Sequence, residues 1–271
     1  MLELLAIYKY TILAGAVLAP ALALLGCQLA ARDRAVQTLC VAQGATLGVL
    51  FGIGVLHYSN VPESSVHYST ILSGFLVSIL TFYAGNRLVS HRLSSRNSYY
   101  TALFVTLLAA ASLVSAIFPA LETHLAQVFF GDLATLTDRD SAISFAVGCL
   151  ALVWLVRSWR TMVDDSFSLM ILRLPRSERC FNLLSLLLLC FSVQFVGFLF
   201  TAACLFVPTT MLGLARSIRL REHLALSAVL ASLSVGIGFA FSLWQTHLPT
   251  VPTIVFVLAL FSVLVAAVRG R

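Results

Sequence analysis

Very few side chains in this sequence could do chemistry, and most of them sit in apolar runs. Gln37, Cys40 and Gln43 fall in one such run and Gln194 in another. An amide in a bilayer core must find a partner, so these glutamines either bridge helices or face an aqueous path. Asp33, Gln37 and Cys40 stand at i, i+4 and i+7 and would share one helix face. Arg32 and Arg34 on either side of Asp33 offer the alternative of an ion pair at the membrane edge. A second cluster is His57, Glu63 and His67 in HYSNVPESSVHY, whose spacing fits no recognised metal site and reads as a solvated loop. No HExxH, no glycine-rich phosphate loop and no Ser/His/Asp or Cys/His arrangement occurs, so no catalytic residue is assigned.

The elements that must hold these groups follow from composition. Of 271 residues, 60% are apolar and 10% charged, with a mean hydropathy of +0.98. That leaves too little polar surface to cover a soluble globule. At about 20 residues per crossing the chain makes roughly eight to ten spans and a single transmembrane domain over residues 1–271. All basic residues except Lys9 and Arg139 fall in five clusters: Arg32 and Arg34; Arg87, Arg92 and Arg96; Arg157 to Arg179; Arg216 to Arg221; and Arg269 with Arg271. Arginine-rich short loops mark the cytoplasmic face. The net charge of +6 therefore speaks for orientation and not for nucleic acid, with the N-terminus outside and the C-terminus inside. The six cysteines lie in or beside apolar runs without CxxC spacing and read as buried thiols.

Hydropathy places spans at about Tyr8–Ala30, Val36–Leu56, Ser69–Val89, Tyr99–Phe118, Ser141–Leu155, His223–Leu243 and Pro252–Val268. Gly44, Gly48, Gly52 and Gly54 let the second span approach a neighbour backbone to backbone. Between Pro119 and Asp140 an acidic external segment should form a short surface element, ending in a helix start at Thr137 or Asp138. In SWRTMVDDSFSLMILRLPRSER, Asp164, Asp165 and Ser166 would cap a short amphipathic helix to about Leu172, with Phe167, Met170 and Ile171 on one side. Side parity between the arginine clusters requires the intervening stretch to go in and come back. Leu183–Val193 and Gly197–Leu214 are therefore expected as a pair of short helices meeting near Gln194 and Gly197. Pro208 in the second of these frees a carbonyl that protein or a water-filled path must satisfy. The expected fold is an all-α polytopic membrane protein of about nine segments with a cytoplasmic amphipathic helix.

FVGFLFTAACLFVPTTMLGLAR at 195–216 resembles the signature VG-x-L-L-x-x-A-L-L-x-x-P-x-x-x-A of the permeases of bacterial ABC importers for zinc, manganese and iron. VFFGDL with Asp140 is similar to that family's external segment. LPTVPTIVFVLAL is similar to the start of its final helix, with Val251 in place of a glycine. The likeness runs from about Gly26 to the end. It implies a bacterial inner-membrane location and a dimer with a second permease copy. It also implies two cytoplasmic ATPases that hold ATP and magnesium, an external metal-binding protein, and a transported metal ion with no cofactor on this chain. The helix bearing Asp164, Asp165, Ser166, Phe167 and Met170 would be the coupling helix that docks on the ATPase. Gln37, Cys40, Gln43, Gln194 and Pro208 would line the path. The family's aspartate and histidine in the second helix fall here on Ala35 and Leu39, which leaves Asp33, Gln37 and Cys40 as a shifted site. Three rival readings stand beside the metal importer. They are an importer of a different cargo, a non-transporting scaffold or regulatory subunit of the same fold, and an ATP-independent carrier, for which neither an internal repeat nor mid-membrane ionisable residues are found.

Overall fold

A computed structural model describes residues 8–58, 63–89, 96–118, 121–131, 133–170, 178–213, 219–245 and 247–269. For 56–58, 63–68, 89, 122–124, 135 and 166–170 it describes the backbone alone. The elements are α1 (Lys9–Ala31), α2 (Ala35–Tyr58), α3 (Glu63–Val89), α4 (Arg96–Ile117), α5 (Glu122–Phe130), a 3-10 turn (Leu133–Thr135), α6 (Asp138–Arg157), α7 (Trp159–Met170), α8 (Glu178–Val196), α9 (Phe198–Gly213), α10 (Leu220–Trp244) and α11 (Thr250–Arg269). Among the described residues, 8 helices are long and apolar enough to cross a membrane, and α9 is a shorter apolar helix. The all-α polytopic class is as expected, because in lipid a helix satisfies its own backbone.

Four local expectations change. His57 to Tyr68 is not one loop. His57 lies in α2 and Glu63 and His67 lie in α3, while residues 59–62 and the side chains of all three are outside the description. The short pair around Gln194 is one full helix and one short one. α8 starts at Glu178, since Glu178 to Asn182 add a first turn to the leucine run, and only α9 is short. The break between them is at Gly197, with φ 98. The amphipathic helix starts at Trp159, not at an Asp164 cap. No glycine or proline separates Arg157 from Asp164, so the chain re-enters a helix after Ser158 alone. Asp33 is not on α2. It takes a left-handed backbone, φ 52, in the turn before that helix, and its N–H bonds back to the Ala30 carbonyl at 3.0 Å.

By their contacts the helices form two compact units interleaved in sequence. Unit 1 takes Met1–Asp33, Asp132–Cys180 and Leu199–Arg271, and unit 2 takes Arg34–Gly131 and Phe181–Phe198.

Unit 1 is built round α1, whose Leu18, Ala19, Ala21, Leu22, Ala23 and Leu25 are fully buried. Small residues set its crossings. A Cβ added at Gly26 would collide with the Leu205 carbonyl oxygen in α9, and one at Gly148 would fall 3.2 Å from the Leu18 nitrogen. Hydroxyl and thiol pairs fasten the same contacts. Thr11 and Ser141 Oγ atoms are 3.2 Å apart, and Cys27 Sγ lies 3.4 Å from Thr209 Oγ1 and 3.8 Å from Ser227 Oγ. α6 opens with Thr137 as its cap, whose Oγ1 accepts from the Asp140 N–H at 3.2 Å. Of the two expected helix starts, Thr137 is the one used.

Unit 2 is built round α2, against which α3 lies in close contact. A Cβ at Gly48 would fall 2.6 Å from the Ser73 carbonyl oxygen, one at Gly44 2.5 Å from Thr81 Oγ1, and one at Gly52 would strike Ser73 Oγ. α4 packs on another face of α2, where buried Cys40 and Tyr100 meet with Val36, Leu103, Phe104 and Leu107. Gly131 and Gly197 touch backbone to backbone, their Cα region 2.5 Å from a built Cβ, and both have positive φ. Neither position admits a side chain.

Candidate translocation site

Gln37 is 3% exposed, and both ends of its amide are paired. Its Nε2 donates to Asn86 Oδ1 at 3.1 Å, and its Oε1 accepts from the Arg96 guanidinium at 2.6 Å. Asn86 Oδ1 accepts a second bond from the Tyr100 hydroxyl at 2.9 Å, and the Arg96 guanidinium stands 5.8 Å over the Tyr100 ring. So Gln37 bridges α2, α3 and α4, the first of the two outcomes weighed above. Cys40, one turn on, packs against the same tyrosine. Arg34, just before α2, donates to Asn182 Oδ1 of α8 at 2.7 Å.

Gln43 differs. It is 0% exposed, and neither Oε1 nor Nε2 has a hydrogen-bond partner. Seven residues beyond Val36 and three beyond Cys40, it falls on the α2 face that meets α4. A buried amide left unpaired costs about 1–3 kcal/mol. Gln194, near the far end of α8, is half satisfied. Its Nε2 donates to Thr70 Oγ1 at 3.2 Å, while its Oε1 has no partner. Between these levels, Cys190 Sγ lies 3.1 Å from Ser78 Oγ, which donates to the Val41 carbonyl at 3.3 Å. A polar thread thus runs through unit 2 and joins α2, α3 and α8.

The remaining candidates lie in unit 1 or outside the description. Pro208 is buried within a continuous α9, where the adjacent Thr209 hydroxyl donates to the Leu205 carbonyl at 3.1 Å. Asp164 and Asp165 lie in the second turn of α7, and the side chains of Ser166, Phe167 and Met170 are not described. α7 is tied to α1 by a residue read from the sequence only as an orienting charge or an ion-pair partner of Asp33. Arg32, 8% exposed, donates to the Met162 carbonyl at 3.3 Å. The common face expected of Asp33, Gln37 and Cys40 does not form, because Asp33 precedes the helix. Among the described residues no three His, Cys, Asp or Glu side chains are grouped to hold a metal ion.

Sequence reasoning passed over Asn86, Arg96, Tyr100, Asn182 and Thr70. Asn86 carried a usable signal, since an amide in the last turn of a span needs a partner as much as Gln37 does. The others had none, because an arginine or tyrosine at a membrane edge is ordinary.

The sequence matches the ABC 3 transport family over residues 5–269, and the chain belongs to that family. It is therefore a multi-pass permease subunit of an ATP-binding-cassette transporter. Among solved structures it is similar to PsaBC from Streptococcus pneumoniae in complex with Fab, with a TM-score of 0.71 and 17% identity, over 95% of this chain and 90% of that one. It is also similar to an inward-facing ABC transporter described as of metal-chelate type, with a TM-score of 0.65 and 18% identity, over 95% of this chain and 82% of that one. At these identities the likeness is one of fold. No curated protein sequence matches the chain.

Proposed function

We propose that the chain imports a divalent transition metal, zinc, manganese or iron, into the cytoplasm of a bacterium by alternating access. It works as one of two permease copies, with two cytoplasmic ATPases that bind ATP and magnesium and an external protein that delivers the metal. The N-terminus lies outside and the C-terminus in the cytoplasm, in keeping with the arginine clusters. Fold similarity to a transporter described as of metal-chelate type supports a metal-bearing cargo, and the resemblance of residues 195–216 to the permeases for zinc, manganese and iron narrows it to these ions.

The observation that carries the path is Gln43. An amide sealed in unit 2 with no protein partner must be satisfied by something else, and water or cargo moving along α2 does that. Gln37, Cys40 and Gln194 belong to the same unit and extend the polar line, and the carbonyl freed by Pro208 adds an acceptor in unit 1. With no carboxylate or imidazole among the described residues that line this thread, a metal passes with weak coordination. α7, with Asp164 and Asp165, takes the push of ATPase closure and passes it through the Arg32 bond to α1.

The test is ATP-driven uptake of radioactive zinc and manganese into proteoliposomes holding the permease, its ATPase and its binding protein. Wild type is compared with Gln43→Ala and with Gln37→Ala plus Cys40→Ala. Uptake lost with ATPase coupling intact supports the path. Uptake of neither metal by the wild-type complex overturns the metal assignment in favour of another cargo or a non-transporting scaffold.

A further inference from the structure

The sealed amide of Gln43 shares its level in unit 2 with an aromatic ring. α2 and α4 rise in the same direction from the arginine-rich end of the unit, since Arg96 bonds to Gln37 and, one turn on, Tyr100 packs with Cys40. A further turn along each helix brings Phe104 to the level of Gln43. Phe104 is itself packed on the cluster that Cys40 and Tyr100 form. Gln43, 0% exposed and unpaired at both ends of its amide, is thus buried where the nearest turn of α4 carries a phenylalanine.

Phe104 is the first of a row of rings. Its centroid lies 6.1 Å from that of the buried Phe198, with the planes at 33°, and Phe198 stacks on Phe129 at 5.2 Å and 27°. Phe129 meets Phe130 edge to face at 5.3 Å, and Phe130 is exposed. The row leads away from the arginine-rich end. α8 rises from that end too, because Asn182 meets Arg34, and further along Cys190 meets Ser78, which bonds to the Val41 carbonyl. Phe198 follows Cys190 by about two turns and so stands beyond the level of Gln43. In the orientation proposed above, that is the external side.

Two glycines set the rings. Gly131 follows Phe129 and Phe130, Gly197 precedes Phe198, and the two backbones touch with both φ positive. A side chain at either position would part the backbones and the rings beside them. The chain also leaves unit 2 at these two places, after Gly131 and after Phe198. Stacked rings are held by many weak contacts and have no hydrogen bond to break, so they can part and close again.

We propose that Phe104, Phe198 and Phe129 form the external seal over Gln43, and that movement of the chain at Gly131 and Gly197 opens it. Phe104 is the ring nearest the amide, and Phe198 and Phe129 hold it closed. The seal has this role only if Gln43 lines a path, as proposed above, and it serves any cargo.

The experiment uses right-side-out membrane vesicles holding the permease with its ATPase and binding protein, without ATP, and a membrane-impermeant methanethiosulfonate added outside. Gln43→Cys should be labelled no faster than the cysteines of wild type. Adding Phe104→Ala should speed labelling about tenfold, or ~1.4 kcal/mol in the balance of closed and open. Phe129→Ala, nearer the exposed end of the row, should do the same and decides the matter if Phe104→Ala folds poorly. Phe256→Ala, exposed on α11, should change nothing. Rapid labelling of Gln43→Cys with all three rings in place overturns the proposal. So does unchanged labelling in both ring variants, or an equal gain in Phe256→Ala. Metal uptake is read separately. If wild type takes up neither metal while the ring variants expose position 43, the cargo reading falls and the seal stands, whereas uptake with labelling indifferent to the rings does the reverse.

Discussion

Unit 1 and unit 2 are both helical and apolar, yet they are fastened differently. In unit 1 the crossings rest on shape, with Gly26 against the Leu205 backbone and Gly148 against Leu18. Its polar contacts are short pairs such as Thr11 with Ser141 and Cys27 with Thr209. In unit 2 the glycines of α2 also set a close approach, but long polar side chains then tie several helices into a shared network through Gln37, Asn86, Arg96 and Tyr100. Each group there depends on the next. Unit 2 also contains the sealed amide of Gln43, a cost that a purely structural bundle would not keep. Both units leave buried polar atoms unpaired: in unit 1 the Ser144, Ser234 and Ser262 hydroxyls are among them, whereas in unit 2 they include both ends of the Gln43 amide and Gln194 Oε1, and that heavier amide load along a polar thread suits the part that handles a solute.

That contrast can be broken. The largest effect should come from Gly26→Val in unit 1. Its side chain has only backbone to displace, so a loss above about 4 kcal/mol is expected, seen as failure to yield a monodisperse protein in detergent. If this variant folds normally, unit 1 is not held by shape. In unit 2, Gln37→Leu takes one partner from both Arg96 and Asn86 and should cost about 1–3 kcal/mol in thermal melting. Because the network is shared, the loss should be less than additive with Asn86→Leu, whereas additive losses would mean separate contacts.

Gln43→Leu should act in the other direction. Removing an unpaired buried amide should raise stability by about 1–2 kcal/mol while lowering uptake, the trade expected of a working residue. A variant that is both less stable and fully active would remove Gln43 from the path. Thr11→Val tests the paired style of unit 1 and should cost only about 0.6 kcal/mol, the usual worth of a hydrogen bond between membrane helices. Arg269→Gln breaks the 2.9 Å ion pair with Glu222, whose side chains are 42% and 48% exposed. Its effect on melting should stay within about 0.5 kcal/mol.

Much of the fold could be read from the chain alone. Every apolar run of about 20 residues became a helix close to the expected span, since the backbone has no other way to satisfy itself in lipid. The glycine ladder of α2 and the break at Gly197 could be read for the same local reason: a missing Cβ is a property of one position. The misplaced boundaries were those where length was inferred from polarity. Glu178, Arg179 and Trp159 to Val163 look like loop, yet contain nothing that stops a helix. Asp33 was misread because i, i+4, i+7 spacing says nothing unless the helix has already begun.

The candidate site was only half legible. That Gln37 and Gln43 needed partners followed from composition and the low dielectric of the bilayer. Which of them would find one did not. Gln37 meets Asn86 49 positions away and Arg96 59 positions away, while Gln43, two turns along the same helix, finds no hydrogen-bond partner. The sequence by itself determined how many helices form and which residues would be costly to bury, because both depend on local transfer from water. The tertiary structure alone decided which of those costs are met, because that depends on how helices distant in sequence are rotated against one another.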